Sequence, residues 1–170
     1  YVNYGNLKRD NNDFDQAIDL YDQALKINDK IPVVFYSLAL AYQGLGKFDL
    51  AIKYAEKTLA IEPKFTQADM LISQSTKYTF KNDHFINMES KIKNLELNNN
   101  QKINLLFALA KANEDLNEIA ASFENLNLGN RIKRETLNFN INDEIIFFDE
   151  LKKAFDNFDF SKTSNDDEDD

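Results

Sequence analysis

A self-match at an offset of 34 residues constrains this chain more than any other feature. "DFDQAIDLYDQALKIND" (Asp13–Asp29) falls on "KFDLAIKYAEKTLAIEP" (Lys47–Pro63), matching Phe14 with Phe48, Asp15 with Asp49, Ala17 with Ala51, Ile18 with Ile52, Leu25 with Leu59 and Ile27 with Ile61. Upstream, Tyr1 falls on Phe35, Tyr4 on Leu38 and Gly5 on Ala39. A period of this length marks a stack of supersecondary units, none of which buries its apolar face alone. Ala39 and Ala51 are small where two antiparallel helices must approach, and Phe35, Leu38, Phe48 and Ile52 fill the space around them. Gly46 suits a left-handed residue closing the first helix, and Pro63 stops the second.

The same stretch, "GLGK" (Gly44–Lys47), invites a phosphate-loop reading that its neighbours exclude. Such a loop needs Gly, four residues, then Gly-Lys-Ser/Thr, so that backbone N–H groups and a hydroxyl meet the phosphates. Phe48 follows Lys47, and Ala41 stands where the first glycine belongs. Composition agrees with helices: four Gly and two Pro leave little turn chemistry for a sheet, and 14 Phe supply a core.

At the next offset Ile72 and Ser73 replace Leu38 and Ala39, and the turn "KYTFKND" (Lys77–Asp83) is three residues longer. With that insertion Phe85 falls on Phe48, Met88 on Ala51 and Ile92 on Ala55. In a fourth unit, Leu109 falls on Leu38, Ala110 on Ala39, Ile119 on Phe48, Ser122 on Ala51 and Leu126 on Ala55, with "ELNNNQKI" (Glu96–Ile103) as the preceding loop. The expected units are 1–31, 32–65, 66–102 and 103–134. Residues 135–160 are expected to form a capping helix on the last repeat, with Asn142 as N-cap and Ile145, Phe148, Leu151 and Phe155 at helical spacing. The acidic stretch 161–170 is expected to be disordered. By the repeat register Tyr1, not Met, lies three positions inside the first helix, so both ends read as cuts through a longer protein.

Period, small residues and aromatic spacing resemble the tetratricopeptide repeat (TPR), a helix-turn-helix unit. The resemblance implies an all-α fold, an α-solenoid of about four TPR units with a C-terminal capping helix. It also implies a concave groove lined by the first helices and faced by Asn6, Arg9, Tyr36, Leu40, Gln43, Met70, Gln74 and Lys77. That mixed apolar and amide surface would suit an extended peptide or a helix. TPR proteins that clamp the acidic C-terminus of heat-shock chaperones use two Asn, two Lys and one Arg. Only Asn6 matches; Val2, Ser37, Gln67 and Leu71 occupy the other places, and the expectation excludes that partner.

A second resemblance covers residues from about 84 to 155. Phe107, Ala108, Leu109, Lys111, Ala112, Glu114, Asp115, Phe123, Asn130, Arg131 and Arg134 resemble the segment joining TPR repeats to the catalytic domain of bacterial TPR-containing sulfotransferase-like proteins. The family would imply sulfuryl transfer from PAPS, gripped by a Gly-rich loop. No such loop occurs here, so this chain is expected to be no enzyme and to hold no cofactor.

The formal charge is −9, with five consecutive acids, Asp166–Asp170, supplying more than half. An acidic chain repels phosphate backbones, so nucleic acid is not an expected partner. No apolar run of about 18 residues exists, and no membrane partner is expected. The absence of Cys excludes disulfides and Cys-ligated metals and is compatible with a cytoplasmic home. His84, the only histidine, reads as a surface-turn residue with no second ligand for a metal and no nucleophile to activate. Glu114, Asp115 and Glu118 read as a solvated helix face, and Arg131 and Arg134 as cations at a helix C-terminus. The function expected is a TPR interaction scaffold, the non-catalytic N-terminal part of a larger protein. The alternative is the substrate-presenting region of a sulfotransferase.

Overall fold

The structure, a computed structural model, describes residues 1–137 and 140–156. These contain nine helices and no strand. They divide into two compact units, Tyr1–Thr136 and the stretch from Leu137 onward. The first unit is a helical-repeat solenoid of α1 (Val2–Asp10), α2 (Phe14–Ile27), α3 (Pro32–Gly44), α4 (Phe48–Ile61), α5 (Thr66–Ser75), α6 (Asp83–Asn94), α7 (Asn99–Asp115) and α8 (Ile119–Thr136). Successive helices pack on one another, except that α5 packs on α7 in place of α6.

Three of the four hairpins close in one way. Asn12, Gly46 and Asn117 occupy equivalent places and are left-handed, at φ 61°, 69° and 59°. In each turn the N–H after the left-handed residue returns to a carbonyl five residues earlier: Asp13 to Lys8, Lys47 to Tyr42 and Glu118 to Asn113. This satisfies carbonyls that the helix end would otherwise orphan. Glycine and asparagine are the residues that adopt this conformation at low cost.

The third hairpin departs. α5 stops at Ser75, Thr76 is extended, and the connection runs over the seven residues 76–82, the last of which, Asn82, caps α6 by accepting from the Phe85 N–H at 3.0 Å. Tyr78, from that connection, is 1% exposed and packs with Phe85, Met88, Leu105 and Leu109. A side chain from the turn thus fills space that helix contact fills elsewhere, and α6 makes little contact with α5.

The other core clusters follow the repeat. Tyr21, Val34, Phe35 and Leu38 join α2 to α3, and Ala39, Ala51, Ala55, Leu71 and Ile72 join α3, α4 and α5. Gly5, matched to Ala39, lies so close to Tyr21 that an added Cβ would come within 2.6 Å of its ring.

Two boundaries differ from expectation. α7 starts inside the supposed loop, because Asn98 and Gln101 form a reciprocal capping box that opens the helix at Asn99. The last helix, α9 (Ile141–Asp156), begins one residue before Asn142. Its first turn takes Asn140 instead, whose side chain accepts from the Asn142 N–H at 3.1 Å, while Asp143 and Glu144 complement the helix dipole. Described by itself, α9 has no buried residue. The acidic tail lies outside the described residues, as does the end of the expected capping helix.

Candidate peptide-binding site

The odd-numbered helices α1, α3, α5 and α7 touch in succession and form one layer. At its start, the Asn6 carbonyl oxygen accepts from the Tyr21 hydroxyl at 2.8 Å and the Ser37 hydroxyl at 3.4 Å, tying α1, α2 and α3 together. This fixes the amide and leaves its NH2 donors for a ligand. The Arg9 guanidinium lies 3.5 Å from the same oxygen and pairs with Asp10 at 2.9 Å. Burial pushes the Tyr21 and Tyr36 hydroxyls above their ordinary pKa, and the Arg9 charge opposes the shift in both, which sets this cation beside two phenols.

Further along, Gln43 donates to the Ser75 hydroxyl at 3.2 Å, and Gln74 is exposed. Tyr36 is half-buried against Phe65, ring centroids 4.9 Å apart. Leu40 and Met70 are also half-buried, packed against the second and third repeat clusters. These three side chains therefore join packing to surface. Lys77 lies beyond the end of α5, in the long connection, and reaches Asp115 at 2.8 Å with its own side chain 76% exposed.

Asp115 corrects the reading of a solvated acidic face. Its side chain is 9% exposed and accepts from Lys111, Lys77 and the Tyr78 N–H. Loss of hydration pushes its pKa up, but the hydrogen bonds from Lys111, Lys77 and Tyr78 outweigh this and bring it down to about 2. Lys111 also donates to the Thr76 carbonyl, fastening the long connection to α7. Glu114 is exposed and Glu118 pairs with Lys81 at 2.9 Å.

His84 is not a surface-turn residue either. It stands in the first turn of α6, 16% exposed, with Nδ1 2.7 Å from the Tyr78 hydroxyl and Nε2 3.4 Å from Asp69. Sequence gave little sign of this, since Tyr78 and Asp69 sit at positions where the repeat suggested a turn and an apolar contact.

Among the described residues, no group of three or more metal-binding side chains is assembled and no helix is long and apolar enough to cross a membrane. What the odd-helix layer and the connection after α5 do present is a set of donors and cations, Asn6, Arg9, Gln43, Lys77 and Lys111, on a frame whose own bonds hold them. Those groups can hydrogen-bond a peptide backbone and pair with carboxylates.

Residues 5–53 match the family described as TPR repeat. Two curated relatives match over 64 residues, 38% of this chain. Small glutamine-rich tetratricopeptide repeat-containing protein 2 of Mycosarcoma maydis is 36% identical, with 18% of its length covered. The heat-shock protein cognate (HSC) co-chaperone sgt12 of Aspergillus fumigatus is 34% identical, with 19% covered. The chain thus spans under a fifth of the length of these relatives. A solved structure, the Sgt2 TPR domain from Aspergillus fumigatus, is similar at 22% identity and a TM-score of 0.44, covering 79% of this chain and 77% of that one.

The co-chaperone relative overturns the exclusion of a heat-shock chaperone partner. That exclusion compared residue types at five assumed clamp positions. Two of them, Ser37 and Leu71, are 3% and 2% exposed and unable to meet a ligand, while the layer's cations stand elsewhere, at Arg9, Lys77 and Lys111. The sulfotransferase resemblance and a bacterial setting gain no support from the family match or from these fungal relatives, whose names are not those of enzymes. The match and the relatives support a TPR protein and, with it, a protein-interaction scaffold.

Proposed function

We propose that this chain is a cytoplasmic interaction scaffold whose odd-helix layer binds an extended peptide or protein segment, with a segment of a heat-shock chaperone as the partner class to test first. The observation that carries the reading is the row of tethered donors and cations from Asn6 and Arg9 through Gln43 to Lys77 and Lys111. Arg9 pairs with Asp10, and Lys77 and Lys111 share Asp115, so the row holds one cation more than its paired carboxylates, which favours an acidic segment. The name of the co-chaperone relative supports the choice of partner class.

Calorimetry with a peptide from the acidic end of a heat-shock chaperone tests this. The expected result is saturable binding that weakens at least about tenfold, or about 1.4 kcal/mol, when Arg9 and Gln43 are both changed to Ala. Binding that survives both changes would move the site off this layer, and absent binding would remove the partner class.

A further inference from the structure

α9 carries one long apolar stripe. Ile141, Ile145, Phe148, Leu151 and Phe155 recur at steps of three and four residues and so fall on one side of the helix. Each of the five is between 40% and 61% exposed. A stripe of this kind in water favours whatever covers it.

Two charges within the stripe decide what that cover is. Glu144 precedes Phe148 by four residues and Lys152 follows it by four, so both stand on the apolar side of the helix. Along the axis they are about 12 Å apart, too far to pair with each other. Neither makes an ion pair among the described residues. A purely apolar cover would strip both of water and leave them unpaired, which is strongly unfavourable. A lipid surface fits no better, because the helix holds five acids against two lysines and helices that lie on membranes are rich in cations.

The stripe is instead complementary to itself. Ile145 and Leu151 lie three residues to either side of Phe148, Glu144 and Lys152 four, and Ile141 and Phe155 seven. A second α9 laid antiparallel and centred on Phe148 therefore sets an apolar side chain against an apolar one at each of these steps. It also brings Glu144 of each helix to the level of Lys152 of the other, where the long side chains meet across the seam. A parallel pair would set Glu144 against Glu144 and Lys152 against Lys152.

We propose that α9 is a self-association surface, on which two copies of this chain pair antiparallel about Phe148, with Glu144 and Lys152 forming an ion pair at each end of the seam. The arrangement is two-fold and uses the same stripe on both copies, so association stops at the dimer. Five apolar side chains from each copy make a seam below the usual size of a stable interface, so dimer and monomer exchange and the mass depends on concentration.

Sedimentation of the full chain over a range of concentrations tests this. The average mass is expected to rise from that of one chain toward that of two. Phe148→Asp, which puts a charge at the centre of the seam, should hold the chain at monomer mass, with its helical content kept by circular dichroism. Glu144→Lys and Lys152→Glu should each weaken association at least about tenfold, because like charges then meet at both ends of the seam. Mixed in equal amounts, these two variants should associate with nearly native strength, since each supplies the charge that the other lacks. A mass that stays at one chain at every concentration would overturn the proposal. So would association indifferent to Phe148→Asp or to the charge reversals, or a mixture of the two charge variants that associates no better than either alone.

Discussion

Asp115 shows how a single carboxylate can hold a degenerate repeat together, since it binds α7 to the connection that leaves α5. Replacing it with Asn removes the charge that Lys111 and Lys77 pair with, and should cost about 1–3 kcal/mol at neutral pH, measured by urea unfolding. The pH dependence has a definite sign. The folded pKa, about 2, lies below the ordinary 3.8, so the stabilisation is complete above about pH 4 and is lost as pH falls toward 2. The gap between the native protein and Asp115→Asn should therefore close across that window, and a constant gap would contradict the account. Gly46 gives a second test at this scale. An added Cβ there meets no neighbour, so only its φ of 69° resists substitution. Gly46→Asn should be close to neutral, because Asn12 and Asn117 occupy the same conformation, whereas Gly46→Val should cost about 1–2 kcal/mol.

Among the elements, α3 and α4 were the most legible in sequence, because Leu38, Ala39 and Ala51 of the match are fully buried; Phe48, expected to fill the space around them, is instead 49% exposed at the start of α4. Ala51→Phe should overpack that contact and lower stability by about 1–3 kcal/mol, seen as a lower melting midpoint. The α5–α6 pair was legible only in register. Its insertion was visible, but a length difference cannot tell that Tyr78 turns inward, and a periodic apolar pattern has no way to register Asp69 in the place of Phe35. For the same reason the buried His84 read as a surface residue. The Asn98 cap was obscured by the Asn-rich run around it, in which polarity suggests a loop while the spacing to Gln101 starts a helix. The buried ion pair of Asp69 and Lys91, 2.7 Å apart, predicts an asymmetry. Lys91→Met should cost about 3–5 kcal/mol by leaving the buried Asp69 with only His84 at 3.4 Å, while the double change Asp69→Phe with Lys91→Tyr, which reproduces the stacked Phe35 and Tyr54 of the second unit, should recover most of it. Equal losses in both variants would mean that the third repeat packs differently.

For the whole molecule, the repeat supplies a frame and the ligand chemistry is laid over it. Of the eight groove residues read from the sequence, Asn6, Arg9, Gln43 and Lys77 are held by side-chain bonds, Gln74 is exposed, and Tyr36, Leu40 and Met70 share their area with inter-repeat packing. Lys111 and Asp115 joined the site only once α7 was placed against the long connection. The central claim is that the odd-helix layer is the binding surface, and amide chemical-shift mapping with the chaperone-derived peptide tests it most directly. The account predicts saturable shifts concentrated on α1, α3, α5 and α7 around Asn6, Arg9, Gln43 and Lys111. Shifts confined to α2, α4 and α8, with the odd helices unmoved, would contradict it.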